Sequence, residues 1–441
     1  MAQNKNYKPR LLILPRLANL MLLFFQRFIY NASIFVFKAS IRLASIFNPK
    51  VRLLSEGQKE LLSKIAGDLK NDDNQRVWFH CASLGEFEQG RPVIEAFRST
   101  YPNIKILLTF FSPSGYEVRK NYSGADYVHY LPIDTASNAR RFISLVKPKL
   151  VIFIKYEFWY HYLTQLYQKD IPVFLISAIF RKQQIFFKPY GQLHKKILEC
   201  FHHIFVQNQK SKDLLNQIGV TSCSIAGDTR FDRVQDVAKE ASSLPLVESF
   251  IGTGPVMVVG SCWPEDMEVL VPFINRHVEI KFILAPHEMD QTFFKQIEKK
   301  ITRNVIRYSL ASQPPSPAEV LMVDSVGLLS SLYQYGNYAF IGGAFGQGLH
   351  NILEAATFGV PIFFGNRSYK KFQEAVDLIR LKGAFAIKDT GELTDKFNAL
   401  SEDKERYQET GDQCRAYVQE NVGATNTIMK QIQAIDVGAS L

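Results

Sequence analysis

The chain has 441 residues, 46% of them hydrophobic, with 25 glycines and 19 prolines; this excludes a disordered or low-complexity protein and exceeds what one ordinary core accommodates. Its five cysteines, Cys81, Cys200, Cys223, Cys262 and Cys414, form no C-x-x-C pair, so a reducing, cytoplasmic setting is expected and neither a disulfide framework nor a zinc site is. The formal charge of +10 is concentrated at one end: Lys5, Lys8, Arg10, Arg16, Arg27, Lys38, Arg42, Lys50 and Arg52 all precede the first acid, Glu56, which argues against a nucleic-acid groove spread over the fold.

Residues 1–55 read as a basic apolar segment. Its apolar runs, 11–14, 17–25 and 28–37, are too short to span a bilayer without including Arg16, Arg27 or Lys38, and no small-residue cleavage site follows. In helical register Tyr30, Ile34, Phe37, Ile41 and Ala44 share one face, with Asn31, Lys38, Arg42 and Ser45 beside it. Such a helix suits the plane of an anionic membrane surface, or else packs on the first domain as a core helix. A tilted span with Arg27 inside is the costlier option.

Through 56–240, after a polar break at 67–76, strand-like and helix-like stretches alternate. Strands are expected at 77–80, 104–110, 150–154, 173–176 and 204–206, the rhythm of parallel βαβ units. The first leads through Cys81-Ala82-Ser83-Leu84-Gly85 to Glu86 and a helix, placing a carboxylate at the carboxyl end of a strand, where open α/β sheets hold their ligands. Glu86 is the candidate catalytic base, although Ser83 and Glu86 also fit a capping box. Tyr156-Glu157-Phe158-Trp159 sets a carboxylate among three aromatic rings, either held structurally or part of a sugar site. Arg181 and Lys182 face an anionic sugar or lie in a solvated loop.

Residues 241–255 read as the interdomain linker, 256–415 as a second domain, and 416–441 as a helical tail that crosses back to the first. The second domain has expected strands at 256–261, 282–285, 320–323, 338–341 and 362–364. Ser261 offers a hydroxyl to a phosphate or simply caps a helix. Gly342-Gly343-Ala344-Phe345-Gly346-Gln347-Gly348 allows backbone N–H groups to approach a phosphate, with a helix beginning near Asn351 and Glu354 one turn into it, or Asn351 and Glu354 are only a cap and its partner. Two such strand, turn and helix units facing each other make a cleft. No D-x-D or H-E-x-x-H occurs, so no metal site is expected.

Ala82-Ser83-Leu84-Gly85-Glu86, Tyr156-Glu157-Phe158-Trp159, Gly227 with Asp228 and Asp232, Gly260-Ser261 with Glu265, and Gly342-Gly343 followed by His350-Asn351-Ile352-Leu353-Glu354-Ala355 occur in this order. Together they resemble the 3-deoxy-D-manno-octulosonic acid (Kdo) transferases. The resemblance implies an α/β, GT-B type glycosyltransferase of two Rossmann-like doubly wound domains that moves Kdo from a CMP-Kdo donor to a phosphorylated lipid A precursor (lipid IVA). It implies inversion, no metal and no other cofactor. It also implies an anionic inner-membrane surface as a partner, at the cytoplasmic face of a Gram-negative cell, with peripheral or monotopic attachment.

Carried over by position, Glu86 is the base, Ser83, Gly85, Glu157, Arg181 and Arg230 lie on the substrate side, and Ser261, Pro286, His287, Gly342, Gly343, Asn351 and Glu354 on the nucleotide side. The chain departs from the family in two places. Ala285-Pro286-His287-Glu288 replaces Pro-Arg-His, and Ser177-Ala178-Ile179-Phe180-Arg181 replaces an Asn-Ala-Arg run. The rival readings are a GT-B enzyme using a UDP-sugar on another lipid, and a membrane-associated nucleotide-binding protein without turnover.

Overall fold

The computed structural model describes residues 13–311 and 318–435. The first sheet contains β1 (Arg76–Cys81), β2 (Lys105–Phe110), β3 (Tyr127–Tyr130), β4 (Pro148–Ile154), β5 (Val173–Ala178), β6 (His203–Val206) and β7 (Cys223–Ile225). Every pairing is parallel, in the order β3-β2-β1-β4-β5-β6-β7. β1 and β5 are buried at every residue, as strands covered by helices on both faces must be; they are mostly apolar, and buried His80 and Ser177 are hydrogen-bonded within the protein.

The second sheet contains β8 (Val256–Cys262), β9 (Lys281–Pro286), β10 (Val305–Arg307), β11 (Val320–Met322), β12 (Tyr338–Ile341), β13 (Ile362–Gly365) and β14 (Ala384–Ile387). Its order is β10-β11-β9-β8-β12-β13-β14, again all parallel. In both sheets the chain winds outward from a central first strand and then returns to its other side. Neighbouring turns therefore leave in opposite directions at β1/β4 and at β8/β12, the switch points where doubly wound sheets open a crevice.

The chain divides into two compact units, residues 1–229 with 423–441, and residues 230–422. Within the stretch 241–255, helix Pro245–Ile251 buries Val247 and Phe250 in the core of the second unit. Helix Ala424–Ala434 belongs to the first unit, where Ile428, Met429 and Ile432 pack in one cluster with Phe87 and Ile94.

Helix Ile13–Ala44 uses its two sides differently from the sequence expectation. The Tyr30, Ile34 and Ile41 stripe, read there as the membrane face, turns toward the first unit: Ile41 is buried and Ile34 packs on the core. Polar groups complete the docking. Tyr30 donates its hydroxyl to Asp134 Oδ2 at 2.5 Å, and Asp134 also accepts the N–H groups of His161 and Tyr162, both at 3.0 Å. Asn31 Oδ1 lies 2.7 Å from His161 Nε2, and Gln26 accepts the N–H of Leu193 at 2.8 Å. The opposite side stays open, with Phe24 76%, Phe28 64% and Phe35 73% exposed.

Burial drives the Asp134 carboxyl up to about 6, against its three donors. Tyr30→Phe removes one of those donors and leaves part of a buried carboxylate unmet. A loss of about 1–3 kcal/mol in urea unfolding is expected, and a midpoint equal to wild type would show that this bond does not hold the helix.

Candidate active site

The first half-site lies at the β1/β4 switch point. β1 ends at Cys81, Ser83 takes extended backbone (φ −138°), and helix Leu84–Thr100 begins. Glu86, in its first turn, curls back to accept the N–H of Ala82 at 2.6 Å, but the Ser83 side chain makes no cap bond, so only half of the expected capping box forms. Gly85 is exposed and has open space around its α-carbon. Glu86 remains half-buried, in reach of solvent. Burial first, and the charge of Glu157 second, push its carboxyl up to about 7, with the N–H groups of Ala82 and Ser83 and the charge of Lys155 opposing. A carboxyl that is partly ionised at neutral pH suits a general base.

Glu157 is buried in the turn after β4. One of its oxygens takes His80 Nε2 at 2.7 Å and the indole N–H of Trp159. His80 Nδ1 lies 2.9 Å from Thr109 Oγ1, which accepts the indole N–H of Trp78 at 2.7 Å. Glu157 is thus structurally held while its charge reaches Glu86. Arg181 is exposed and donates to the Tyr156 hydroxyl at 3.1 Å.

Asp228 accepts from Gln89 Nε2 at 3.2 Å, and Thr229 donates to the Gln89 carbonyl while meeting Ser177 Oγ at 2.9 Å. Gln89 lies one turn beyond Glu86, so these two residues brace the helix that carries Glu86. Arg230, expected on the substrate side, pairs with buried Glu374 at 2.8 Å inside the second unit. Lys155 (φ 68°) and Ser177 (φ 52°) are left-handed residues at the rim of the first sheet, and Ser261 (φ 52°) repeats this at the end of β8.

The second half-site lies at the β8/β12 switch point. Asp266, three residues beyond the turn at Trp263, is fully buried, and its Oδ2 accepts the N–H of Trp263 at 2.9 Å and of Gly343 at 2.8 Å. It ties the turn after β8 to the turn after β12, and burial raises its carboxyl to about 6. Gly342 must be glycine because a Cβ there would lie 2.6 Å from Cys262 Cα. Three rings gather over this junction: His287, directly after buried Pro286, stacks on Trp263 at 4.7 Å and lies 4.3 Å from His350, which accepts the Trp263 indole N–H on Nε2 at 2.9 Å. Burial lowers both imidazoles, His350 to about 4.

Two details of the glycine turn differ from the sequence expectation. The helix begins at Leu353, not Asn351, and is a single turn, so Glu354 stands at its start, bonded to Asn351 Nδ2 at 3.0 Å and Ser330 Oγ at 2.8 Å. The N–H groups of Gly342, Gly343, Gly346, Gly348 and His350 are all engaged by the protein itself, on Gly260 O, Asp266, Gly343 O (twice) and Gly342 O. Sequence reasoning placed Ser261 here, and its hydroxyl makes no hydrogen bond among the described residues. It missed Trp263, Asp266 and the ring of His350. An acid at the third helical position after a strand was the only available signal for Asp266.

Comparison with known proteins places this geometry. A family model described as 3-deoxy-D-manno-octulosonic-acid transferase matches residues 57–233. A 3-deoxy-D-manno-octulosonic acid transferase of Aquifex aeolicus is 28% identical over 332 residues, covering 74% of this chain and 85% of the relative. One of Haemophilus influenzae is 24% identical over 370 residues, covering 80% and 86%. In fold, a UDP-GlcNAc 2-epimerase of Neisseria meningitidis aligns with a TM-score of 0.60 at 15% identity, covering 82% of this chain and all of that one. The two doubly wound parallel sheets have the GT-B architecture, and the sequence relatives make the chain a glycosyltransferase. Over residues 57–233 and across most of its length the chain is similar to the 3-deoxy-D-manno-octulosonic acid transferases.

Glu157→Gln removes the negative neighbour that helps raise Glu86. The acidic limb of the pH profile of kcat/KM, set by ionisation of Glu86, is expected to move from about 7 toward lower pH. A limb that stays in place would separate the two carboxylates.

Proposed function

We propose that the protein transfers Kdo from CMP-Kdo to a phosphorylated lipid A precursor, lipid IVA, with inversion at the anomeric carbon and without a metal. The observation that carries this reading is Glu86: a half-buried carboxyl at the rim of β1, poised near neutrality. A sugar hydroxyl is a poor nucleophile until its proton is taken. Glu86 accepts that proton as the acceptor oxygen bonds to the anomeric carbon. The bond from that carbon to the phosphate oxygen breaks, and CMP departs with the electron pair. A single displacement of this kind inverts the centre, and a positioned base contributes about 10²- to 10⁴-fold.

Incubating the protein with CMP-Kdo and tetra-acylated lipid A precursor should yield a lipid heavier by one or more Kdo units in a mass spectrum. Glu86→Gln should cut the rate by about 10²- to 10⁴-fold while CMP binding persists. Activity within a few-fold of wild type would remove Glu86 from the role of base. Inhibition by UDP and not by CMP would favour a UDP-sugar donor.

The same reading places the protein peripherally on the cytoplasmic face of the inner membrane of a Gram-negative bacterium. Among the described residues no helix is long and apolar enough to cross a membrane. The docked side of helix Ile13–Ala44 leaves Phe24, Phe28 and Phe35 facing outward, with exposed Arg27, Lys38 and Arg42 along the helix. Aromatic groups that enter the acyl boundary beside cations that meet anionic headgroups suit a helix lying in the interface. The protein should float with vesicles containing anionic lipid, and the triple change F24S/F28S/F35S should leave it in the soluble fraction. Equal flotation of both would rule out this face.

A further inference from the structure

The second half-site poses a problem of charge. A nucleoside monophosphate leaves as an anion, yet several N–H groups of the glycine turn are already spent inside the protein. Desolvation beside Trp263 lowers the His287 imidazole and so disfavours its charged form. The donor groups must therefore come from side chains beside the turn.

Besides the Ser261 hydroxyl, unbonded among the described residues, two such groups flank the turn. The first is Lys371. A Cβ on Gly348 would lie 3.2 Å from its Nζ, so the ammonium rests directly over the turn, at a residue whose φ of +123° already excludes a side chain. Its segment is fastened there by Ser368, whose N–H and hydroxyl both donate to Ala344 O, at 3.0 and 2.8 Å. Among the described residues Lys371 forms no ion pair; beside the turn its ammonium also lies 5.2 Å from the centroid of the Phe372 ring. The second is His350. An indole N–H can only donate, so the Nε2 that receives it from Trp263 carries no proton, and the single proton of the neutral ring is on Nδ1. Nδ1 has no hydrogen-bond partner among the described residues; the Cδ2 side of the ring packs on Gly343, where a Cβ would be 2.9 Å away, which leaves Nδ1 on the side of the ring turned away from that backbone.

We propose that the donor's phosphate is held by the Lys371 ammonium and the His350 Nδ1–H, side chains flanking the glycine turn, and that Trp263 positions His350 by fixing its tautomer. This rests on the reading of the second half-site as the CMP site. It makes Lys371 a determinant of affinity for the phosphate and not for the nucleoside.

Calorimetric titration of the full chain with CMP and with cytidine tests it. Lys371→Met should weaken CMP binding about tenfold and leave cytidine unchanged, while Lys371→Arg keeps most of the affinity, since a charge-assisted bond is lost in one and retained in the other. Lys371 is exposed, so the melting temperature of the Met variant should match wild type. His350→Asn, whose amide N–H falls near the position of Nδ1, should keep CMP binding better than His350→Gln, whose amide reaches toward Nε2. Wild-type affinity for CMP in Lys371→Met would overturn the proposal. So would unchanged CMP affinity with a raised KM for CMP-Kdo, because Lys371 would then meet the sugar's carboxylate. A folded wild-type chain that binds no CMP would instead refute the donor reading beneath it.

Discussion

Each sheet grows outward from its first strand, and that strand is flanked by a partner from the second half of the winding. β1 lies between β2 and β4, and β8 between β9 and β12. Because the crossovers on the two sides cover opposite faces, the turns leaving β1 and β4, or β8 and β12, diverge and leave backbone polar groups without a covering helix. Buried carboxylates occupy these gaps. Glu157 ties the turn after β4 to His80 on β1, and Asp266 ties the turn after β8 to Gly343 after β12. The half-sites are consequences of winding order, fastened by acids that are costly to bury and so must be bonded.

These braces share a chemistry with the amino-terminal helix, which is held through Asp134. A buried carboxylate with several N–H or O–H donors gives direction that apolar packing lacks. In each case one carboxylate meets groups from separate elements and fixes their mutual orientation. Part of the cost is visible in the raised carboxyls of Asp134 and Asp266.

Much of the scaffold was legible because a strand covered on both faces is apolar through most of its length. The ten strands expected from the sequence all form. The four that were not expected, β3, β7, β10 and β14, are the edges of the two sheets. Short and partly exposed, as β10 is at every residue, they lack the continuous apolar signature of the interior. Glu86 was legible because a carboxylate just beyond a buried strand is conspicuous. The ring cluster of Trp263, His287 and His350 was not, since residues 263, 287 and 350 meet only through the strand order. The amino-terminal helix misled because it is apolar on two sides, and periodicity alone does not tell which side faces protein.

The last helix, Ala424–Ala434, lies against the helix that carries Glu86, sharing a core cluster with Phe87. Residues 230–422 form a compact unit without it, whereas the first unit is incomplete until Ile428 and Ile432 have been synthesised. The usual order of domain folding during translation, amino-terminal first, is thereby inverted for the step that matters. The second sheet is able to mature before this helix is made, and the apolar surface beside Glu86 is covered only once residues 424–434 have been added. A product cut short before Ile428 keeps an uncovered apolar face beside Glu86 and is a natural target for quality control.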